Sequence, residues 1–528
     1  MHLTIPKKLL SAFLCFSLGF YGQAQDTAPD NWFNLDLSQN KVNGVSSEKA
    51  YADLLKNRQP KKKIVVAIID SGVEADHEDL KEVMWVNKKE IAGNNIDDDK
   101  NGYVDDIHGW NFIGGKNGNV NEDTYELTRV YATLKAKNKR NKAEEKEFQR
   151  LKKSYEEKTE DLKNQYINFA VISAALETAQ KVLNKNEIVL EDLEKFDTKD
   201  EDQGTAKEIL NILLQERESI DCKKLTEELK EWGDYLTKGL KYGYNVEFNS
   251  RTVVGDDATN AKERFYGNND VEGPGAEHGT HVAGIVAASR DNGKGMKGVA
   301  NYVEIMAVRA VPDGDERDKD IANAIRYAVD NGAQVINMSF GKGLSPNKNV
   351  VDEAVKYAQK KGVLLVHAAG NSSLNIDNEP NFPTRSFKTY NGKKKANNWI
   401  EVGALSWQGE EQAPAEFSNF GKKNVDIFAP GVDIYSTVPD NGYKPNSGTS
   451  MAAPVVSGVA ALVWSYYPEL TMQQLRDVLL KSAVKIDAAV NIPGGKEQAN
   501  FQDLSATGGV INVVKALELA EKTLSAKK

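Results

Sequence analysis

Cysteine is almost absent: the 528 residues hold two, Cys15 and Cys222. Cys15 falls in an N-terminal segment that reads as removable, so the remaining chain has one thiol and no internal disulfide to form. Stability must then come from core size, from bound ions, or from both. A basic excess is missing too. Asp and Glu outnumber Lys and Arg by 77 to 68, a net charge of −9, and no basic stripe is interleaved with aromatics. That argues against a nucleic-acid partner. No apolar run is long enough to span a bilayer comfortably. The nearest, Leu9–Phe20, follows Lys7 and Lys8 and precedes Gly22-Gln23-Ala24, the pattern of a cleavable export signal over 1–24. The expected destination is periplasmic or secreted. What remains is 40% hydrophobic and 27% charged, enough to bury a large core.

Glycine and proline nearly vanish over roughly 123–245, a stretch rich in Lys and Glu. Phe148, Leu151, Tyr155, Leu162, Tyr166 and Phe169 recur there at helical spacing. Leu210, Leu213 and Leu214, then Leu229, Trp232, Leu236 and Leu240, continue the pattern. The spacing predicts amphipathic helices in an antiparallel bundle or coiled-coil hairpin. Elsewhere β-branched runs alternate with helical segments. Lys63–Ile69, Tyr302–Val308, Gln334–Met338, Val363–Ala368, Trp399–Val402 and Val425–Ala429 read as strands buried on both faces. Gly279–Ala288, Asp320–Asn331, Asn349–Lys361 and Ala452–Tyr467 read as helices. The alternation predicts an α/β fold, a doubly wound and mostly parallel sheet, carrying an inserted helical subdomain. The expected division is 25–60 as a short polar extension, 61–122 and 246–521 as two parts of one domain, 123–245 as the insertion, and 522–528 as a tail.

Three motifs carry the chemistry. Val65-Val66-Ala67-Ile68-Ile69-Asp70-Ser71-Gly72 puts an aspartate at the end of a strand, where α/β sheets place their ligands. His278-Gly279-Thr280-His281 follows, and Gly448-Thr449-Ser450-Met451-Ala452-Ala453-Pro454 delivers a serine to a helix N-terminus. There, free N–H groups and the helix dipole favour an oxyanion. Asp, His and Ser in this order, with these neighbours, resemble the subtilisin-like serine proteases, the subtilases. The resemblance covers roughly 61–115 and 245–520. It implies a subtilisin-like fold, protein or peptide substrates, Ser450 as nucleophile, His278 as general base and Asp70 as its orienting anion. His281 is then expected to serve packing or hydrogen bonding. Ala368-Ala369-Gly370-Asn371 matches the family segment whose Asn donates to the oxyanion, which assigns that role to Asn371. Ser339, Phe340 and Gly341 resemble the segment that pairs with an extended substrate, and Ala368, Ala369 and Gly370 the opposite wall of an open, mildly hydrophobic P1 pocket. Phe382-Pro383 resembles the aromatic–Pro turn behind that pocket.

Ile96-Asp97-Asp98-Asp99-Lys100-Asn101-Gly102-Tyr103-Val104-Asp105-Asp106 begins like an EF-hand loop, with His108 where the closing Glu would stand. Asp97, Asp99, Asn101, Tyr103 (by its carbonyl), Asp105 and Asp106 are the expected ligands of a structural calcium ion. Asp79, Asp256 and Asp257 are further acidic candidates. The reading is an exported, calcium-stabilised serine endopeptidase. The alternative is an interaction or chaperone-like protein acting through the helical insert, with proteolysis secondary. Residues 25–60 look too short to be the prodomain many subtilases carry.

Overall fold

Alternate residues of the first strand face opposite cores. In β1 (Ile64–Asp70), Val66 and Ile68 enter one apolar cluster while Ala67 and Ile69 enter another. A strand apolar on every residue is what a sheet covered on both faces requires. The computed structural model describes residues 28–215, 217–409 and 412–526. The export signal expected over 1–24 lies outside the described residues.

The described residues form two compact units, Leu127–Phe248 and the rest. The larger unit is built on a nine-stranded sheet. Its strands are β1, β2 (Gly109–Asn111), β3 (Val303–Arg309), β4 (Val335–Met338), β5 (Leu364–Ala368), β6 (Trp399–Leu405), β7 (Ile427–Pro430), β8 (Val484–Lys485) and β9 (Gly509–Val510). Their spatial order is β8-β9-β7-β6-β5-β4-β1-β3-β2. All neighbours run parallel except β8 and β9. The expected strands are all present, with ends displaced by no more than three residues. β1 pairs with β3 on one side and β4 on the other, so the strand order turns around at β1. That reversal opens a crevice at the carboxyl ends of β1 and its neighbours.

Among the helices, in chain order, are α1 (Lys142–Leu183), α2 (Glu201–Leu214), α3 (Cys222–Lys238), α4 (Glu277–Ala287), α5 (Asp318–Asp330), α6 (Lys348–Lys361), α7 (Thr449–Tyr466), α8 (Met472–Lys481) and α9 (Val513–Ser525). α4, α7, α8 and α9 cover one face of the sheet, α5 and α6 the other. Only α7, among the described residues, is long and apolar enough to cross a membrane, and 94% of that window is buried inside the protein. It is a core helix. α8 starts on a capping box: Thr471 accepts from Gln474 N–H, and Gln474 accepts from Thr471 N–H.

The segment 28–60 is not merely a polar lead-in. Trp32, Phe33, Val45, Ala50 and Leu55 are buried in the same cluster as α7. The Trp32 indole donates to the carbonyls of Val432 and Asp433 at 3.1 and 3.2 Å. Its few apolar positions lack a single period because they fold as short turns of helix rather than one long one.

The smaller unit has its own core. α1 packs against α2 and α3 around Leu162, Ile172, Leu176, Ile209, Leu210, Leu225, Leu229, Trp232 and Leu236. Gly233 lets α3 approach closely, since a Cβ there would sit 2.5 Å from the Phe169 ring. Tyr155 stacks on Tyr131, and Cys222 is buried.

Candidate active site

The carboxyl ends of β1, β4 and β5 are adjacent in the sheet, and the motif residues stand there. Asp70 is the last residue of β1 and is fully enclosed. Its Oδ1 accepts from Ser71 N–H at 2.8 Å and faces His278 Nδ1 at 2.6 Å. Among the described residues, no hydrogen-bond partner reaches Asp70 Oδ2. His278 is the second residue of α4, and Gly279 explains how that helix comes so near. A Cβ at 279 would lie 2.1 Å from the Gly72 carbonyl. The His278 ring is 40% exposed on its side chain. Burial works against its protonation, yet the charge and hydrogen bond of Asp70 outweigh it and raise its pKa above the ordinary histidine value. His281, one turn on, is buried, with Nε2 3.1 Å from the Lys444 carbonyl. Burial lowers its pKa to about 3, so it stays neutral and structural.

Arg309 braces this corner. It is buried at the end of β3, directly opposite Asp70 in register. Its guanidinium donates to the carbonyls of Ser71 (2.8 Å), Val120 (2.6 Å) and Pro274 (3.0 Å). One side chain thereby ties the segment after Asp70 to the segment before His278. Motif reading missed it, because its partners are backbone atoms far away in sequence.

Ser450 is the second residue of α7, and α7 packs against α4. Its Oγ donates to the Ser339 carbonyl at 3.1 Å. Ser339 Oγ in turn donates to the Ser450 carbonyl at 2.8 Å, and accepts from Asn337 Nδ2 at 2.9 Å. Asn371 accepts two hydrogen bonds on Oδ1, from Thr449 N–H and Thr449 Oγ1, both 2.8 Å. A backbone N–H can only donate, so the amide orientation is settled and the NH₂ end is turned away from Thr449. It lies 3.2 Å from where a Gly448 Cβ would be. Asn371 thus presents a donor beside the N–H-rich start of α7.

Ala368 ends β5, and Gly370 donates its N–H to Thr449 Oγ1 at 3.0 Å. Phe340 and Ala369 are buried, and Phe382-Pro383 is joined by a cis peptide bond.

The acidic loop is differently arranged from the linear motif. Glu90, Asp97 and Asp99 bring one carboxylate oxygen each to within 4.8 Å of one another. Glu90 was not among the expected ligands, since it precedes the loop and joins it only in space. Its two oxygens accept from Asp99 and Asp105 N–H at 3.1 and 3.0 Å, which folds the loop back. Asp105 accepts from Gly93 and Asn95 N–H at 2.8 and 2.9 Å. Asp106 accepts from Asn87, Asn101 and Tyr327, and burial pushes it up to about 6. The carboxylates of Asp105 and Asp106 sit on protein donors, as do Asp97, which accepts from Asn101 and Gly102 N–H at 3.0 and 2.8 Å, and Asp99, which accepts from Asn101 N–H at 3.1 Å. Asn101 Oδ1 accepts from Tyr103 N–H at 2.8 Å, and the Tyr103 ring is buried against Trp110 and Tyr327. Three converging carboxylate oxygens with hard oxygen character suit a divalent cation. Asp256 is instead ion-paired to Arg251 and Lys319, Asp257 accepts from Thr259 at 2.7 Å, and Asp79 accepts from Asn292 at 2.6 Å.

Residues 61–508 match the profile of the subtilase family, Peptidase_S8. The "Thermophilic serine proteinase" of Bacillus sp. (strain AK1) is 44% identical over 189 residues, which is 36% of this chain and 42% of that protein. Subtilisin DY of Bacillus licheniformis is 40% identical over 216 residues, covering 40% of this chain and 72% of that one. A solved structure of a protease from Pseudoalteromonas arctica PAMC 21717 is 29% identical, with a TM-score of 0.38, over 46% of this chain and 70% of that chain. The alignments thus reach less than half of the first relative and under three quarters of the second.

Proposed function

The chain belongs to the subtilase family, and from that membership we propose that it is an exported serine endopeptidase working through Asp70, His278 and Ser450. The observation that carries this reading is the 2.6 Å bond between His278 Nδ1 and Asp70, together with a serine at the start of α7, a helix packed against α4. Asp70 holds the ring so that Nε2 is the free nitrogen, the one able to take the Ser450 proton. Ser450 Oγ must first leave the Ser339 carbonyl, a rotation about one side-chain bond. Its attack forms a tetrahedral centre whose oxyanion is met by Asn371 Nδ2 and by the backbone N–H of Ser450. His278 then protonates the leaving amine, and water repeats the cycle on the acyl-enzyme.

Calcium is proposed as the ion of the Glu90–Asp97–Asp99 group. Bound there it would neutralise three clustered carboxylates, supplying stability that the chain cannot obtain from disulfides. Export rests on the signal pattern over 1–24. The separate core of the helical unit favours a second reading, in which an interaction surface on that unit is the business of the protein.

The test is hydrolysis of casein and fluorogenic peptides by the mature protein with and without calcium, beside Ser450→Ala. Loss of turnover in the variant by about 10⁴–10⁶ is expected, as is loss of about 10²–10³ for Asn371→Ala. A biological effect that survives Ser450→Ala would transfer the function to the helical unit.

A further inference from the structure

The walls assigned to the P1 pocket, Ser339–Gly341 and Ala368–Gly370, are bridged by one polar side chain. Asn381 Nδ2 donates to the carbonyls of both Ala368 and Ala369, at 3.1 and 3.0 Å. On the other wall, a Cβ at Gly341 would fall 2.4 Å from Asn381 Oδ1. A Cβ at Gly370 would lie 3.5 Å from its Cγ. The side chain cannot swing aside easily, because its backbone neighbour is pinned. Lys342 and Phe382 exchange N–H···O=C bonds of 3.0 and 2.8 Å, which fixes residue 381 against residue 341. Both amide hydrogens are used on the 368–369 wall, so the end facing Gly341 is a carbonyl oxygen. Asn381 also lines a cavity of ≈ 20 Å³, with Ile376, Arg385, Tyr390 and Glu401 around it. That is room for about one water and no more.

We propose that Asn381 is a specificity-determining residue that closes the P1 slot between Gly341 and Gly370, so that the substrates are chains with a short P1 side chain, alanine or serine. The proposal rests on the protease reading above and replaces the open, mildly hydrophobic pocket expected from the motifs. A long apolar P1 side chain would have to displace two hydrogen bonds and press a carbonyl oxygen that it cannot satisfy. Asn381→Gly removes the plug and joins the slot to the small cavity.

The experiment measures kcat/KM for one peptide series differing only at P1 (Ala, Ser, Leu, Phe), with the wild-type protein, Asn381→Gly and Asn381→Ser. Labelling of Ser450 by a fluorophosphonate is followed in parallel. The wild type is expected to favour Ala over Phe by about 10-fold or more, the discrimination that misplaced side-chain bulk gives. Asn381→Gly should reduce or invert that ratio, with Asn381→Ser between. Asn381→Ser keeps a polar side chain at the wall, so it serves if the glycine variant fails to fold. Labelling with an equal preference for Ala and Phe, or a ratio unmoved in every folded variant, overturns the proposal while leaving the protease reading intact. No labelling and no turnover overturns both.

Discussion

At His278 burial and charge pull in opposite directions, and charge wins. Because the ring is held protonated to a higher pH than an ordinary histidine, the acid limb of kcat/KM should have its midpoint above about 6.5. Asp70→Asn removes that pull. It should lower the midpoint and cut kcat by about 10⁴, through the wrong tautomer as much as the lost charge. A pH–rate profile of the two proteins checks this, and an acid limb below the ordinary histidine value in the wild type would contradict it. Stability runs the other way. A raised folded pKa contributes stability that is complete below the unfolded value and lost as pH rises through the folded one. The protein should therefore be working best where this contribution has gone. Asp70, His278, Ser450 and Asn371 were all legible from linear motifs, because each is announced by neighbours that shape a local turn or helix start. Arg309, Asn381 and Glu90 were not. Their partners are carbonyls and N–H groups brought close by the fold, and no short spacing encodes them.

Elements tell a similar story with a different boundary. The strands showed in the sequence because residues such as Val66 through Ile69 are apolar on both faces. Their ends did not, because the last residue of a parallel strand is set by the loop that leaves it. The acidic loop gained a member in three dimensions, Glu90, which the linear spacing could not show. Asp97→Asn combined with Asp99→Asn should abolish any rise of Tm with calcium. In the wild type that rise should correspond to about 1–3 kcal/mol at about 10 mM calcium, for a site of ordinary extracellular affinity. Thermal melts with calcium and with chelator decide the matter, and an equal calcium response in the double variant would place the ion elsewhere.

For the whole molecule, division into two units was readable from composition, since glycine and proline thin out where helices take over. The burial of 28–60 was not, because short irregular turns leave no period to detect. Deletion of roughly 123–245 should lower the yield of soluble enzyme, measured as active sites titrated per milligram expressed. Full yield and full activity of the deletion would show that the helical unit has no part in folding.

β1 is made early, yet it ends in the interior of the sheet, and its two neighbours, β3 and β4, come more than two hundred residues later. Contacts that distant form slowly, because a long loop must close before they reward the chain. The same arrangement guards the finished protein. Peeling an edge strand away exposes little, and the centre is released only by a concerted opening. Under the protease reading proposed above, cleavage by neighbouring copies, where opening is fast to reverse, would track how rarely that open state is visited. Lifetime among its own kind would then be set by the rarity of that opening, with the strand made first guarded by those made last.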